Sequence, residues 1–153
     1  MMVEQIRTRS LFHLEMELRQ AIHLVGDDGA TRLIYCSEGG RFEGERLRGR
    51  ILPVTGDWVN LRDKDMDIDV RVQMETDDGA SIFLNYSASQ KLEELPTRVL
   101  VDGKPRLIGP DQFRVAPTFE TSDPRYQWLS RTTVLGIGTR TRRGAICDFV
   151  ELF

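Results

Sequence analysis

Asp69 and Arg71 stand two residues apart in the run Asp67-Ile68-Asp69-Val70-Arg71-Val72-Gln73-Met74-Glu75, in which every second side chain is apolar. In an extended chain that spacing puts a carboxylate and a guanidinium on one face. There they can pair with each other or jointly hold a substrate carbonyl or carboxylate. The expectation is that this face lines the inside of a closed barrel and that the two act as a unit; the same alternation also fits a sheet whose polar face is simply solvated. A second carboxylate, Asp57, follows Gly56 and precedes Trp58. Pressed against an indole it would hold its proton to higher pH and serve as a general acid or base. Alternatively, Trp58 is core and Asp57 accepts hydrogen bonds from the backbone of the Gly56 turn. Tyr86, Glu120 and Trp128, together with Trp58, are of the types that line a ligand pocket: apolar bodies with a few convergent polar groups.

Strands must position these residues. The run 67–75 and the run Ser81-Ile82-Phe83-Leu84-Asn85-Tyr86 flank the turn residues Thr76-Asp77-Asp78-Gly79-Ala80, the pattern of a hairpin. Gly26-Asp27-Asp28-Gly29 marks another. Strand patterns recur over 12–18, 21–25, 31–37, 41–52, 57–62, 67–75, 80–89, 98–101, 112–120, 132–139 and 145–152, separated by Gly, Asp and Pro clusters. Helical periodicity is nearly confined to Ser122-Asp123-Pro124-Arg125-Tyr126-Gln127-Trp128-Leu129-Ser130, where Asp123 suits an N-cap and Pro124 a first helical position. The fold class is therefore all-β: a single antiparallel β-barrel over residues 1–153 with one short capping helix. Residues 90–110 carry the weakest pattern and read as a long hairpin or lid. Gly136-Ile137-Gly138-Thr139 lacks the rest of a dinucleotide fingerprint, and its glycines read as relief for a bend in a curved strand.

The 153 residues suit one domain, and 40% hydrophobic with 29% charged content is that of an ordinary globular protein. No apolar run approaches the roughly 20 residues of a membrane-spanning helix, and the first residues lack the order of a signal peptide, so a cytoplasmic location is expected. A net charge of −3 argues against a nucleic-acid partner. Arg46, Arg48 and Arg50 read as the exposed face of a strand, and Arg140, Arg142 and Arg143 as a hairpin tip closed by Gly144. Cys36 and Cys147 read as buried free thiols, and His13 and His23 have no companions at metal-ligand spacing. No metal and no cofactor is expected. The apolar end Phe149-Val150-Glu151-Leu152-Phe153 and the Arg-rich strand faces suggest a homo-oligomer.

Three segments together carry a family resemblance: Gly39-Gly40-Arg41-Phe42-Glu43-Gly44 running on to Leu52-Pro53-Val54-Thr55-Gly56-Asp57-Trp58; Ile68-Asp69-Val70-Arg71 followed by Thr76-Asp77-Asp78-Gly79-Ala80; and Phe119-Glu120-Thr121-Ser122-Asp123-Pro124-Arg125-Tyr126-Gln127-Trp128-Leu129. In order and spacing the chain resembles the domain-of-unknown-function 3237 family, also called UPF0311 proteins. The resemblance implies a small closed antiparallel barrel of calycin-like or allene-oxide-cyclase-like shape, usually oligomeric, and it implies little chemistry. One departure stands out: Ser130 occupies the place before Arg131 where the family motif commonly has Asn.

The chemistry expected from these residues is cofactor-independent proton transfer on a small apolar carbonyl or phenolic metabolite, as in an isomerase, cyclase or lyase. Asp69 or Asp57 would be the acid or base, Arg71 would bind the developing oxyanion, and Tyr86 and Trp128 would position the substrate. One alternative is a lipocalin-like module in which the same groups hold a small ligand and nothing reacts; another is a structural or oligomeric scaffold whose barrel is filled by bulky side chains, leaving no cavity for a ligand. A raised carboxyl pKa inside the barrel would favour catalysis; a lining of phenols and amides alone would favour binding.

Overall fold

Two-residue alternation runs through almost the whole chain, and the computed structural model turns it into eleven strands among the described residues. It describes residues 5–63, 65–91, 97–101, 104–108 and 112–153, with side chains described outside 90–112. The strands are β1 (Thr8–Val25), β2 (Thr31–Glu43), β3 (Arg48–Arg62), β4 (Asp65–Thr76), β5 (Ser81–Lys91), β6 (Thr97–Val101), β7 (Lys104–Ile108), β8 (Gln112–Val115), β9 (Thr118–Glu120), β10 (Thr133–Arg140) and β11 (Gly144–Leu152). Nine form one antiparallel sheet in the order β8-β10-β11-β1-β2-β3-β4-β5-β9, and β6 and β7 pair separately as a hairpin.

The two edges of the large sheet are neighbours in sequence. β8 pairs with β10 and β9 pairs with β5, with Ala116-Pro117 between them. Proline cannot donate to a ladder, so one extended stretch is split there and handed from one edge to the other. The sheet thus curls into an antiparallel barrel, and Tyr86 of β5 stacks on Phe113 of β8 with ring centroids 6.5 Å apart. Strand length and twist are reconciled by irregularities in register. Between Ile51 and Thr55, β3 carries two residues more than the facing stretch of β4.

Inside lies one large core, with a smaller cluster of Leu33, Val59 and Met66 beside it. Phe12 stacks on Phe149 at 4.7 Å and meets Phe42 and Phe119 edge-on, and Val70, Val72, Met74, Ile82 and Leu84 are fully buried around them. Gly136 and Gly138 make room for this packing: a Cβ on Gly138 would lie 2.0 Å from the Phe113 ring, and one on Gly136 2.7 Å from Phe149. They therefore vacate space for aromatic rings rather than relieve a bend. The aspartate turns form as expected, with Gly29 (φ 79°) and Gly79 (φ 89°) in the left-handed region that glycine tolerates.

Several boundaries differ from the sequence expectation. Runs 12–18 and 21–25 are one strand, β1, with a shift of register between Gln20 and Ile22. Run 41–52 is not one strand, because the chain turns back between Glu43 and Arg48, and Arg46 lies in that turn. The expected cap is a 3-10 helix, Gln127–Arg131, rather than a helix starting at Asp123. Asp123 instead bends the chain locally, its Oδ1 accepting from the Arg125 backbone N–H at 2.9 Å. The C-terminal run does not present a continuous apolar surface, because alternation sends Phe149 into the core while Phe153 lies outside beside Arg9. The expected lid over 90–110 lies outside the residues whose side chains are described.

Candidate active site

Because the apolar set Met66, Val70, Val72 and Met74 takes the interior of β4, every other residue of that strand must face out. The same parity carries four chemically capable side chains inward towards one end of the barrel. Register places Tyr35 (β2), Asp57 (β3), Val70 (β4) and Tyr86 (β5) side by side across four strands. From the opposite wall Arg140, last residue of β10, donates to the Met66 sulfur at 3.4 Å. Arg140 continues the inward series Val134, Gly136, Gly138.

Asp57 is the centre of this group. The residue as a whole is half-buried, but its Oδ1 is sealed from solvent and has no hydrogen-bond partner among the described residues. Burial pushes the carboxyl from an ordinary 3.8 to about 7, and the Arg140 guanidinium, which pulls the other way, does not offset it. Burial also raises the Tyr86 phenol well above its usual range, with the Asp57 charge adding to the effect. Tyr35 is raised for the same first reason while Arg140 opposes it. Both phenols therefore stay protonated and can donate. The Cys147 thiol is pushed up to about 12 by burial, which removes it as a nucleophile.

The other expected site residues are elsewhere. Asp69 and Arg71 do not share the interior: they are half-exposed on the outer face, 3.5 Å apart, with the guanidinium 4.9 Å from the Trp58 ring centroid. The alternation was correct and the face inverted, since a barrel spends its apolar face inside. Trp58 accordingly points outward beside them, where Arg32, Asn60 and Asp67 help to line an open groove of about 510 Å³.

Glu120 is exposed on β9 beside Phe83 of β5, and Trp128 is in the 3-10 helix, at the barrel end that carries the β2–β3 and β4–β5 turns, whereas Asp57 lies level with Val70 in the middle of β4. Trp128 is covered by Arg46 at 4.2 Å and donates its indole N–H to the Arg125 carbonyl at 3.1 Å. That end is closed by ion pairs and hydrogen bonds. Glu151, buried, pairs with Arg46 and with Arg9. The Tyr126 hydroxyl donates to both Asp78 oxygens at 2.8 and 2.9 Å, and Arg125 bridges Asp78 and Asp123. The Asp-Pro-Arg-Tyr-Gln-Trp-Leu segment is thus a latch onto the β4–β5 turn.

The family described as "Protein of unknown function (DUF3237)" matches residues 6–152. The chain belongs to the DUF3237 family. A UPF0311 protein of Rhodopseudomonas palustris (strain TIE-1) is 31% identical over 126 residues, 78% of either chain. Among solved structures, a "beta-barrel like protein" from Acinetobacter baumannii AYE superposes with a TM-score of 0.79 at 31% identity, covering 99% of this chain and 98% of that one. A structure described as "an enzyme from Penicillium herquei" shares the fold at 18% identity and a TM-score of 0.65, covering 100% of this chain and 98% of that one. Ser130 donates to the Gln127 carbonyl at 2.8 Å on the exposed side of the 3-10 helix, so it sits in the latch.

Arg140 and Tyr35 are the members of the group that sequence reasoning passed over. Each had a signal. Arg140 keeps the two-residue step of Val134, Gly136 and Gly138, and Tyr35 follows the buried Thr31 and Leu33 at the same step.

Proposed function

We propose that this DUF3237 protein is a cofactor-independent enzyme that moves protons on a small carbonyl or phenolic metabolite held inside one end of the barrel. Asp57 is its acid and base. The observation that carries this reading is a sealed carboxyl oxygen with no hydrogen-bond partner among the described residues, on a group held at about 7 by burial. A carboxyl poised there is present as acid and as base at neutral pH, which is where general acid–base catalysis is most effective. Burying a polar atom unpaired costs stability, and such costs concentrate at functional sites.

The neighbours supply the rest. Arg140 is a fixed positive charge for the enolate or phenolate that forms when Asp57 removes a proton. The Tyr35 and Tyr86 hydroxyls keep their protons and can donate to the same oxygen or return a proton to carbon. Arg140 thus takes the role first expected of Arg71, and Tyr86 keeps a positioning role that Trp128, in the 3-10 helix latch, cannot share. The titratable carboxyl is what favours catalysis over the lipocalin-like alternative, in which phenols alone would line the site. A fold-level neighbour described as an enzyme is consistent with the reading, and at 18% identity the likeness extends to the fold alone.

The experiment is solvent-deuterium exchange. A panel of small ketones, enones and phenols is incubated with protein in D2O and followed by NMR. Wild type should incorporate deuterium next to the carbonyl or on the phenol ring of at least one compound, and Asp57→Asn should lose this by more than about 100-fold, the usual scale of a general base. Equal exchange by wild type and Asp57→Asn would refute the assignment.

A further inference from the structure

Thr55 carries φ 66°, a left-handed conformation that a β-branched residue rarely adopts. It sits where β3 comes back into register with β4: Ile51 faces Met74, the next paired residue is Thr55 facing Val72, and Asp57 then faces Val70. The Thr55 hydroxyl donates to the Arg71 carbonyl of β4 at 2.7 Å and also contacts the Val54 carbonyl. Gly56, next in the chain, runs so close to β2 that a Cβ would lie 1.9 Å from the Tyr35 carbonyl oxygen. A strained residue pinned by its own side chain, followed by a residue that must be glycine, leads directly into Asp57.

We infer that Thr55 is a positioning residue for Asp57, its hydroxyl anchoring the left-handed turn that returns β3 to register with the carboxyl inside the barrel and Trp58 outside. This rests on the reading of Asp57 given above. Strand parity makes the anchor matter: a slip of one residue at this irregularity would exchange the faces of Asp57 and Trp58. Strain of this kind persists only where the surroundings over-determine it, and here the determinants are one hydroxyl and one close strand approach. The groups that face Asp57, and whose influence the turn maintains, are Tyr35 of β2, Tyr86 of β5, Arg140 of β10 and, beyond Tyr86, Cys147 of β11.

The test reads the Asp57 carboxyl resonance by NMR in protein labelled at the aspartate side-chain carbon, assigned by its loss in Asp57→Asn. Thr55→Ser, which keeps the hydroxyl, should leave the midpoint within a few tenths of a pH unit of wild type. Thr55→Val, nearly isosteric without the hydroxyl, should lower it by at least about one pH unit as the carboxyl reaches water. Should Thr55→Val fail to fold, Thr55→Gly, which adopts the same backbone freely but lacks the anchor, should show the same fall. An unchanged midpoint in the hydroxyl-free variants overturns the role of Thr55 and leaves that of Asp57 standing. An ordinary midpoint in wild type overturns both.

Discussion

At the scale of single residues, a buried carboxyl lowers stability wherever it must ionise and in return is available for proton transfer. Asp57 is raised from 3.8 to about 7, so between those values the unfolded chain ionises it while the folded chain keeps the proton. Folding stability is therefore undiminished below pH 4, falls as pH rises through that window, and has lost the whole contribution above about 7. Asn does not ionise. Asp57→Asn should be more stable than wild type at pH 8 by about 2 to 4 kcal/mol, the upper figure being the full shift at about 1.36 kcal/mol per unit and the lower allowing for partial hydration. The advantage should shrink to near zero at pH 4, as urea denaturation at the two pH values would show. A variant more stable and less active is the signature of a group kept for chemistry. The sequence offered Asp57 as a candidate because its neighbours Gly56 and Trp58 are visible in it. It hid Arg140 behind Arg142 and Arg143, which mark a hairpin tip, although the two-residue step from Val134 already pointed Arg140 inward.

At the scale of elements, alternation decides which residues share a face but does not say which face closes on itself. That is why Asp69 and Arg71 were legible as a pair and yet belong outside, and why Glu120 and Trp128 were legible as a motif and yet lie on an exposed strand and in the 3-10 helix. The latch can be separated from the site by experiment. Tyr126→Phe removes the hydroxyl that holds the 3-10 segment to Asp78. It should lower the urea midpoint while leaving the Asp57 carboxyl titration unchanged, since Asp78 is in the β4–β5 turn whereas Asp57 lies level with the middle of β4. β10 offers the complementary case. Gly138→Ala drives a methyl group into the Phe113 ring that backs Tyr86, and it should cost about 1 to 3 kcal/mol, the usual range for overpacking. Near-ultraviolet circular dichroism should record the altered aromatic packing.

At the scale of the whole molecule, closure by β8 and β9 explains why an all-β reading of the sequence was sufficient for the fold: repeated alternation and aspartate-glycine turns leave little else to build. The details that escaped it are those set by tertiary closure, namely the break at Pro117, the 3-10 form of the cap and the inward fate of Phe149. Self-association remains the expectation for the assembly. Exposed Leu135, Ile137 and Ile146 form an apolar outer strip on β10 and β11, and sedimentation velocity at micromolar concentration should find more than a monomer. A monomer with full proton-transfer activity would detach assembly from function.

The most direct test of the central claim is the pH titration of the wild-type protein labelled at the aspartate side-chain carbon. One carboxyl resonance should move with a midpoint near 7 and be missing from Asp57→Asn. If instead every aspartate titrates below about 5, the range of ordinary and salt-bridged carboxylates, Asp57 is an ionised group in contact with water, and the barrel interior has no acid–base catalyst.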